Sequence, residues 1–165
     1  MSNERNNGDV AMQQLAPQPV LSIRATIRTA DLGETVGNRI AALKDYLRRR
    51  GLQPSGPPFA RYHTFSESET DFELGVPVAE PDAGEGGIAA GELPGGWVIT
   101  TWHIGPHDKL GDAYARIDAW LQAQGRAPDG PPWEAYHWLA LGQYDDSLTL
   151  PDSSGWRTQL VQPIK

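Results

Sequence analysis

The sequence predicts an α+β domain made of two tandem halves, each with the order strand-helix-strand-strand. We expect eight strands in all, six of them from this repeated order, together with two main helices and a ligand cleft between the halves. Three observations lead to the prediction. The segments GPPFARYH and GPPWEAYH begin at residues 56 and 130, which are 74 positions apart. Two apolar stripes with helical spacing precede these segments, and the runs VPV and QPI place Pro77 and Pro163 at the ends of the two halves. A single internal duplication accounts for all three.

The two helices are predicted at about 34 to 50 and about 108 to 124. Their apolar residues step by four, three and four, which is typical of an amphipathic helix packed on a core. These residues are Val36, Ile40, Leu43 and Leu47 in the first half and Leu110, Tyr114, Ile117 and Leu121 in the second. Gly51 and Gly125 follow the stripes and suit left-handed C-terminal caps, and Asp108 suits an N-cap of the second helix.

Alternating patterns predict the strands. The first half contains VLSIRATIR at 20 to 28 and then PFARYHTF and TDFELGVPV, joined by the polar turn SESE. The second half contains WVITTWHIG at 97 to 105, a strand at 131 to 138 and the terminal WRTQLVQPI. An insert at 139 to 155 separates its last two strands and is compatible with either a lid or a long loop.

The expected domain organisation follows from these elements. Residues 1 to 18 are polar and aperiodic, which predicts a disordered leader. Residues 19 to 165 form the domain, with a first half at about 19 to 78, a linker at 79 to 96 that is rich in Gly, Pro and acidic residues, and a second half at 97 to 165.

Composition narrows the function class. The 165 residues include no Cys and carry a net charge of −7, which disfavours direct binding to nucleic acid. No apolar run is long enough to cross a bilayer, so we expect a cytoplasmic protein without a membrane partner. The four histidines lack the spacing of a metal site, so neither a metal nor a cofactor is expected.

Glu134 is the most informative single residue, because the first repeat has Ala60 at the equivalent position. Alternation along 131 to 138 places Glu134, Tyr136 and Trp138 on one face. If the cleft lies on the sheet face opposite the helices, Trp102 also points into it, and with Tyr62 these aromatic residues surround the carboxylate. Such a box attracts delocalised cations. The alternative is a solvated Glu on an outward face. Three tryptophans are expected in the core instead, namely Trp97, Trp120 and Trp133.

The chain resembles the GyrI-like effector-binding family, which occurs alone and as the ligand domain of multidrug-responsive activators. The resemblance rests on LPGGWVITTWHIGPHDKLGDAYARIDAWLQAQG, GPPWEAYHW and WRTQLVQPIK, and covers about residues 19 to 165. It implies binding of bulky aromatic, often cationic, drug-like molecules in a cleft that holds Glu134. His107 departs from the family pattern, which has Tyr there. The short leader leads us to expect no attached DNA-binding domain, with the protein acting alone or through a partner that remains unknown.

The resemblance leaves three functions open. The first is binding and sequestration of drug-like molecules by Tyr62, Trp102, Glu134, Tyr136 and Trp138. The second is hydrolysis of cyclopropanoid DNA-alkylating natural products, with Glu134 as general base and Tyr136 or Tyr62 polarising the carbonyl that receives electrons. The third is a gyrase-inhibitor-like role in binding another protein.

Overall fold

A computed structural model describes residues 9–139 and 153–165. It confirms the α+β class, with two helices and, in these ranges, nine strands instead of eight. The helices are α1 (Leu32–Arg50) and α2 (Leu110–Gln124). The strands are β1 (Val10–Leu15), β2 (Gln18–Arg28), β3 (Phe59–Phe65), β4 (Glu69–Pro77), β5 (Gly84–Glu85), β6 (Ile88–Leu93), β7 (Gly96–Ile104), β8 (Trp133–Tyr136) and β9 (Arg157–Pro163).

The predicted stripes form the buried faces of both helices. Leu43 and Leu47 of α1 are fully buried. Ile117 and Leu121 of α2 are almost fully buried. Each helix ends at a left-handed glycine, with φ of 66° at Gly51 and 62° at Gly125.

One predicted cap is wrong. Asp108 lies within a short 3-10 turn, His107–Lys109, that precedes α2, and Lys109 occupies the N-cap position without a side-chain cap.

All strand pairs are antiparallel, in the order β1-β7-β9-β8-β3-β4-β2-β6-β5. The duplication is visible at the centre, where the equivalent strands β3 and β8 pair with each other. Ala60 lies directly opposite Glu134 in this pair. The small side chain in the first repeat therefore leaves space beside the carboxylate in the second.

The sheet is strongly curved. Five strands separate β1 from β2 in the sheet order, which in a flat sheet would place them about 29 Å apart. Only Ala16 and Pro17 connect Leu15 to Gln18, a step that spans about 10 Å at most. The sheet must therefore curl until β1 approaches β2. The helices pack on its outer face, and a separate apolar cluster that includes Val20, Phe59, Val98, Trp133 and Val161 fills its concave face.

Two segments expected to lack regular structure contribute strands. Val10–Leu15 pairs with β7, so the expectation of a disordered leader is wrong for these residues, while residues 1–8 lie outside the described ranges. Within the expected linker, Ile88–Leu93 pairs with β2 and also forms a hairpin with Gly84–Glu85. Pairing with open sheet edges outweighs the weak local preference of both segments. The insert at 139 to 155 falls largely on residues 140–152, outside the described residues.

The three tryptophans assigned to the core differ in burial. Trp133 is 4% exposed, Trp120 is partly buried, and Trp97 is 48% exposed. The expectation is therefore wrong for Trp97, which sits near the start of β7 beside the exposed Met12. Neither described helix is long and apolar enough to span a membrane.

Candidate ligand-binding site

A cavity of about 730 Å³ opens on the outer face of the sheet. The start of α1, the end of β3, the first turns of α2 and strand β8 all contribute to its walls. The lining includes Leu32, Tyr62, Phe65, His107, Leu110, Tyr114 and Glu134. A volume of this size accommodates a drug-sized molecule.

Strand register places Glu134 in this cavity. Glu134 pairs with Ala60 on one side and with Leu160 on the other, and both of these residues pack in the helix-facing core. The side chain of Glu134 therefore points to the same side as the helices, and the residue is only 4% exposed. A carboxylate this deeply buried needs compensating contacts.

Tyrosine hydroxyls supply those contacts. The Tyr114 hydroxyl donates to Oε2 of Glu134 at 2.6 Å, and the Tyr136 hydroxyl donates to Oε1 at 2.7 Å. A further hydrogen bond joins Tyr62 to Tyr136. These short bonds are typical of hydroxyl donors to an ionised carboxylate. No Lys or Arg appears among the described residues that line the cavity.

The pKa values of these groups reflect their burial. Burial raises the pKa of Glu134 above its ordinary value of 4.5, while the bonds from Tyr114 and Tyr136 and the nearby His103 oppose the rise. Burial and the Glu134 charge raise the pKa values of Tyr62, Tyr114 and Tyr136. The three phenols therefore remain protonated donors at neutral pH.

An aromatic cluster adjoins the cavity at His107, the member of the cluster that lines it. Trp138 and Trp156 stack with ring centroids 4.0 Å apart, and the His107 ring lies edge-on to both. Nε2 of His107 is 2.9 Å from the Thr158 hydroxyl. Burial and His103 lower the pKa of His107, so it is neutral at neutral pH. His107, which departs from the family pattern, is therefore an uncharged part of the cavity wall.

The structure brings four of the five predicted site residues together. Tyr62, Glu134 and Tyr136 form one hydrogen-bonded group, and Trp138 packs against Tyr136 with centroids 5.7 Å apart. Tyr114 was assigned to the core stripe of the helix, so its role was missed. The sequence signal for this role is the hydroxyl group of Tyr114, because the equivalent residue of the first half, Ile40, is apolar.

Trp102 is the exception. Thr101 pairs with Leu160, and Leu160 pairs with Glu134, so these three side chains share one face of the sheet. Trp102 follows Thr101 and pairs with Gln159, so it lies on the opposite, concave face. Its ring is 4.7 Å from that of His137. The expectation that Glu134 faces a cleft on the side away from the helices is therefore wrong, because its cavity lies on the helix side of the sheet.

Removal of the Tyr114 hydroxyl is expected to raise the pKa of Glu134. The hydroxyl stabilises the ionised carboxylate, and a hydrogen bond to a charged group contributes about 1.5 kcal/mol or more, equivalent to about one pKa unit. Carbon NMR titration of the Glu134 carboxyl group in Tyr114→Phe would measure the change. Tyr46→Phe is the matched control, since its hydroxyl bonds to Asp82 instead. Equal pKa values in the wild type and Tyr114→Phe would contradict the prediction.

Comparison with known proteins places this geometry in a family. The model of the GyrI-like small molecule binding domain matches residues 8–139. The chain belongs to this GyrI-like family. No curated protein matches the chain. The GyrI-like fold recurs in the solved C-terminal domain of EcmrR, which is 23% identical with a TM-score of 0.73, over 95% of this chain and 97% of that one.

Other solved GyrI-like folds differ in length or in ligand. EcmrR in a DNA complex is 23% identical with a TM-score of 0.80, over 95% of this chain, but this chain spans only 57% of that one. SAV2435 bound to tetraphenylphosphonium is 15% identical with a TM-score of 0.59, over 95% of this chain and 94% of that one. A hydrolase from Listeria innocua is 11% identical with a TM-score of 0.62, over 96% and 93%. At these identities the likeness establishes the fold.

Proposed function

We propose that this protein binds bulky, hydrophobic aromatic molecules that carry a positive charge, and that it sequesters them in the Glu134 cavity. The observation that carries the proposal is a carboxylate that is 4% exposed, hydrogen-bonded to two phenols and open to a large cavity. Membership of a small-molecule-binding family agrees with it.

Charge favours a cationic ligand. Glu134 has lost most of its hydration, and the described lining residues offer no Lys or Arg to balance it. A ligand cation would supply the missing charge in a medium of low dielectric. Because each carboxylate oxygen already accepts a hydrogen bond from a phenol, the site suits a cation with diffuse charge better than a compact ammonium group that needs its own acceptors.

The cavity walls favour aromatic groups. Tyr62 and Phe65 meet edge-to-face at 6.3 Å, and Phe65 is 64% exposed although it lines the cavity. Exposed apolar side chains beside a pocket often contact ligand. SAV2435, whose fold is similar, binds tetraphenylphosphonium, a large cation with four phenyl groups. That ligand is therefore a suitable first probe for this protein.

Tetraphenylphosphonium affinity is expected to rise with pH. The cation favours ionised Glu134, and the pKa of this group lies above 4.5 in the folded protein because of burial. Affinity should therefore increase as the pH rises through the raised pKa and become constant above it. Calorimetric titration between pH 4.5 and pH 8 would measure the profile. Protonated His107 would also repel the cation in acid, so Glu134→Gln serves to isolate the glutamate contribution. A wild-type profile identical to that of the variant would contradict the proposal.

Hydrolysis of cyclopropanoid compounds is a second candidate, favoured by the raised pKa of Glu134 beside phenol donors. Glu134 would take a proton from water as the water oxygen bonds to a ring carbon. The ring bond would break as its electrons move to the conjugated carbonyl, whose oxygen would take a proton from Tyr136, and Tyr136 would regain a proton from Glu134 along their hydrogen bond. Mass spectrometry of a duocarmycin-type compound incubated with the protein would detect the water adduct. Multiple turnovers that are lost in Glu134→Gln would make the protein an enzyme, and tight binding without turnover would leave it a binding protein.

A further inference from the structure

A second cavity, of about 370 Å³, lies on the concave face of the sheet. Its walls include Phe59, Trp133, Ala135, His137 and Gln159, together with the Pro-rich connections that cross this face. Glu134 and Tyr136 alternate with these β8 residues and point the other way. The second cavity is therefore separated from the Glu134 cavity by the sheet itself.

The charges around this cavity are opposite in character to those of the first. No Asp or Glu occurs among its described lining residues. Two arginines lie near it without lining it: the Arg157 guanidinium is 4.5 Å from the Trp102 ring, and that of Arg61 is 6.0 Å from the Trp133 ring but already has Glu73 as an ion-pair partner at 4.0 Å. Burial lowers the pKa of His137, so this lining residue is neutral at neutral pH. A cation would find no acidic side chain among the described lining residues, whereas an anion would find Arg157, which is close enough to His137 to lower its pKa.

Buried donors without a hydrogen-bond partner also favour an anionic ligand. Three buried side-chain atoms in the described ranges have no hydrogen-bond partner, and two of them, Nε of Arg61 and Nε1 of Trp102, belong to residues of the concave face. Trp102 neighbours two lining residues, since it pairs with Gln159 and contacts His137. Buried donors without acceptors are rare in native proteins. Trp102 does not itself line the cavity, and an acceptor oxygen beside His137 and Gln159 is the partner that a ligand could offer its Nε1 atom.

We propose that the concave cavity binds a compact aromatic monocarboxylate. Its ring packs against Trp133 and Phe59, and its carboxylate lies at the end formed by His137, Gln159 and Arg157. The volume admits one or two fused rings, which is smaller than the ligands that suit the Glu134 cavity. This site is independent of the function proposed above, because no residue lines both cavities in the described ranges.

Calorimetry with 2-naphthoate tests the proposal, with 2-naphthamide as the uncharged match. We expect 2-naphthoate to bind more tightly than the amide. Gln159→Glu should weaken it by about tenfold or more, because like charges meet at the site. Arg157→Gln should weaken it by about two- to fivefold, as expected for an exposed cation. Arg48→Gln makes the same change of net charge on the outer face of α1 and should have no effect. NMR should show the Trp102 indole N–H signal moving as it gains an acceptor.

Other outcomes would overturn the proposal. The absence of 2-naphthoate binding would do so, as would equal affinity for the amide, which would remove the role of charge. Tighter binding in Glu134→Gln with no loss in Gln159→Glu would place the ligand in the first cavity. Failure of tetraphenylphosphonium to bind would refute the first site alone, since 2-naphthoate binding is expected to persist in Glu134→Gln.

Discussion

Glu134→Gln is expected to weaken tetraphenylphosphonium binding by about 30-fold or more. Loss of one partner from a buried charge pair costs about 2 kcal/mol or more, which corresponds to that change in Kd. The amide keeps the shape of the side chain and can still accept from one tyrosine, so the cavity itself should persist. Triphenylphosphine oxide is similar in shape and uncharged, and its affinity should change by no more than about threefold, as expected where only polar contacts adjust. Calorimetry at pH 7.5 would measure both ligands.

Glu80→Gln is the matched control for this experiment. Glu80 is exposed and lies outside both cavities, so the variant has the same net charge as Glu134→Gln. Its affinity for the cation should equal that of the wild type. Equal losses for the cation and for the uncharged compound in Glu134→Gln would show that the carboxylate contributes shape and hydrogen bonding, and the cationic ligand class would have to be abandoned.

The repeat made most of the fold predictable. Two copies of a Gly-Pro-Pro-aromatic segment, two identical helical steps and two capping glycines determine the order of elements, and the structure confirms both helices near their predicted bounds. Strands β1 and β6 were not predictable in the same way. Their sequences have no strong local pattern, and each forms a strand because it pairs with β7 or β2, which lie far away along the chain.

The identity of the central carboxylate was also predictable, but the face on which it lies was not. Alternation separates Glu134 and Tyr136 from Trp133 and Ala135, yet it cannot tell which set meets the helices. The bulky Trp133 suggested the helix side, whereas the structure places Trp133 in a second apolar cluster on the concave face. Central strands buried on both faces remove the usual contrast between an apolar and a polar side.

Because both faces of β8 are buried, this short strand lies between two environments of opposite charge character. Among the described residues, no Lys or Arg lines the cavity that Glu134 faces, and no Asp or Glu lines the cavity that His137 faces. Ligands of opposite charge would then be separated by a single layer of sheet. A change in one cavity that shifts the β8 backbone would therefore also shift the wall of the other cavity.

Trp133→Ala is expected to lower the free energy of unfolding by about 3 to 5 kcal/mol, the usual cost of truncating a large buried aromatic residue. Trp133 is 4% exposed and packs in the concave cluster with Phe59 and Val161. Urea unfolding followed by circular dichroism would measure the change. The prediction tests whether the concave face is a true core as well as the wall of a cavity.

Trp97→Ala provides the comparison, because it deletes the same side chain from a residue that is 48% exposed. Since about half of this side chain already contacts solvent, its loss should cost no more than about 1.5 kcal/mol. Similar losses in the two variants would mean that Trp133 is less well packed than the structure shows. A large loss for Trp133 alone would establish that the inner cluster stabilises the curved sheet on which both cavities depend.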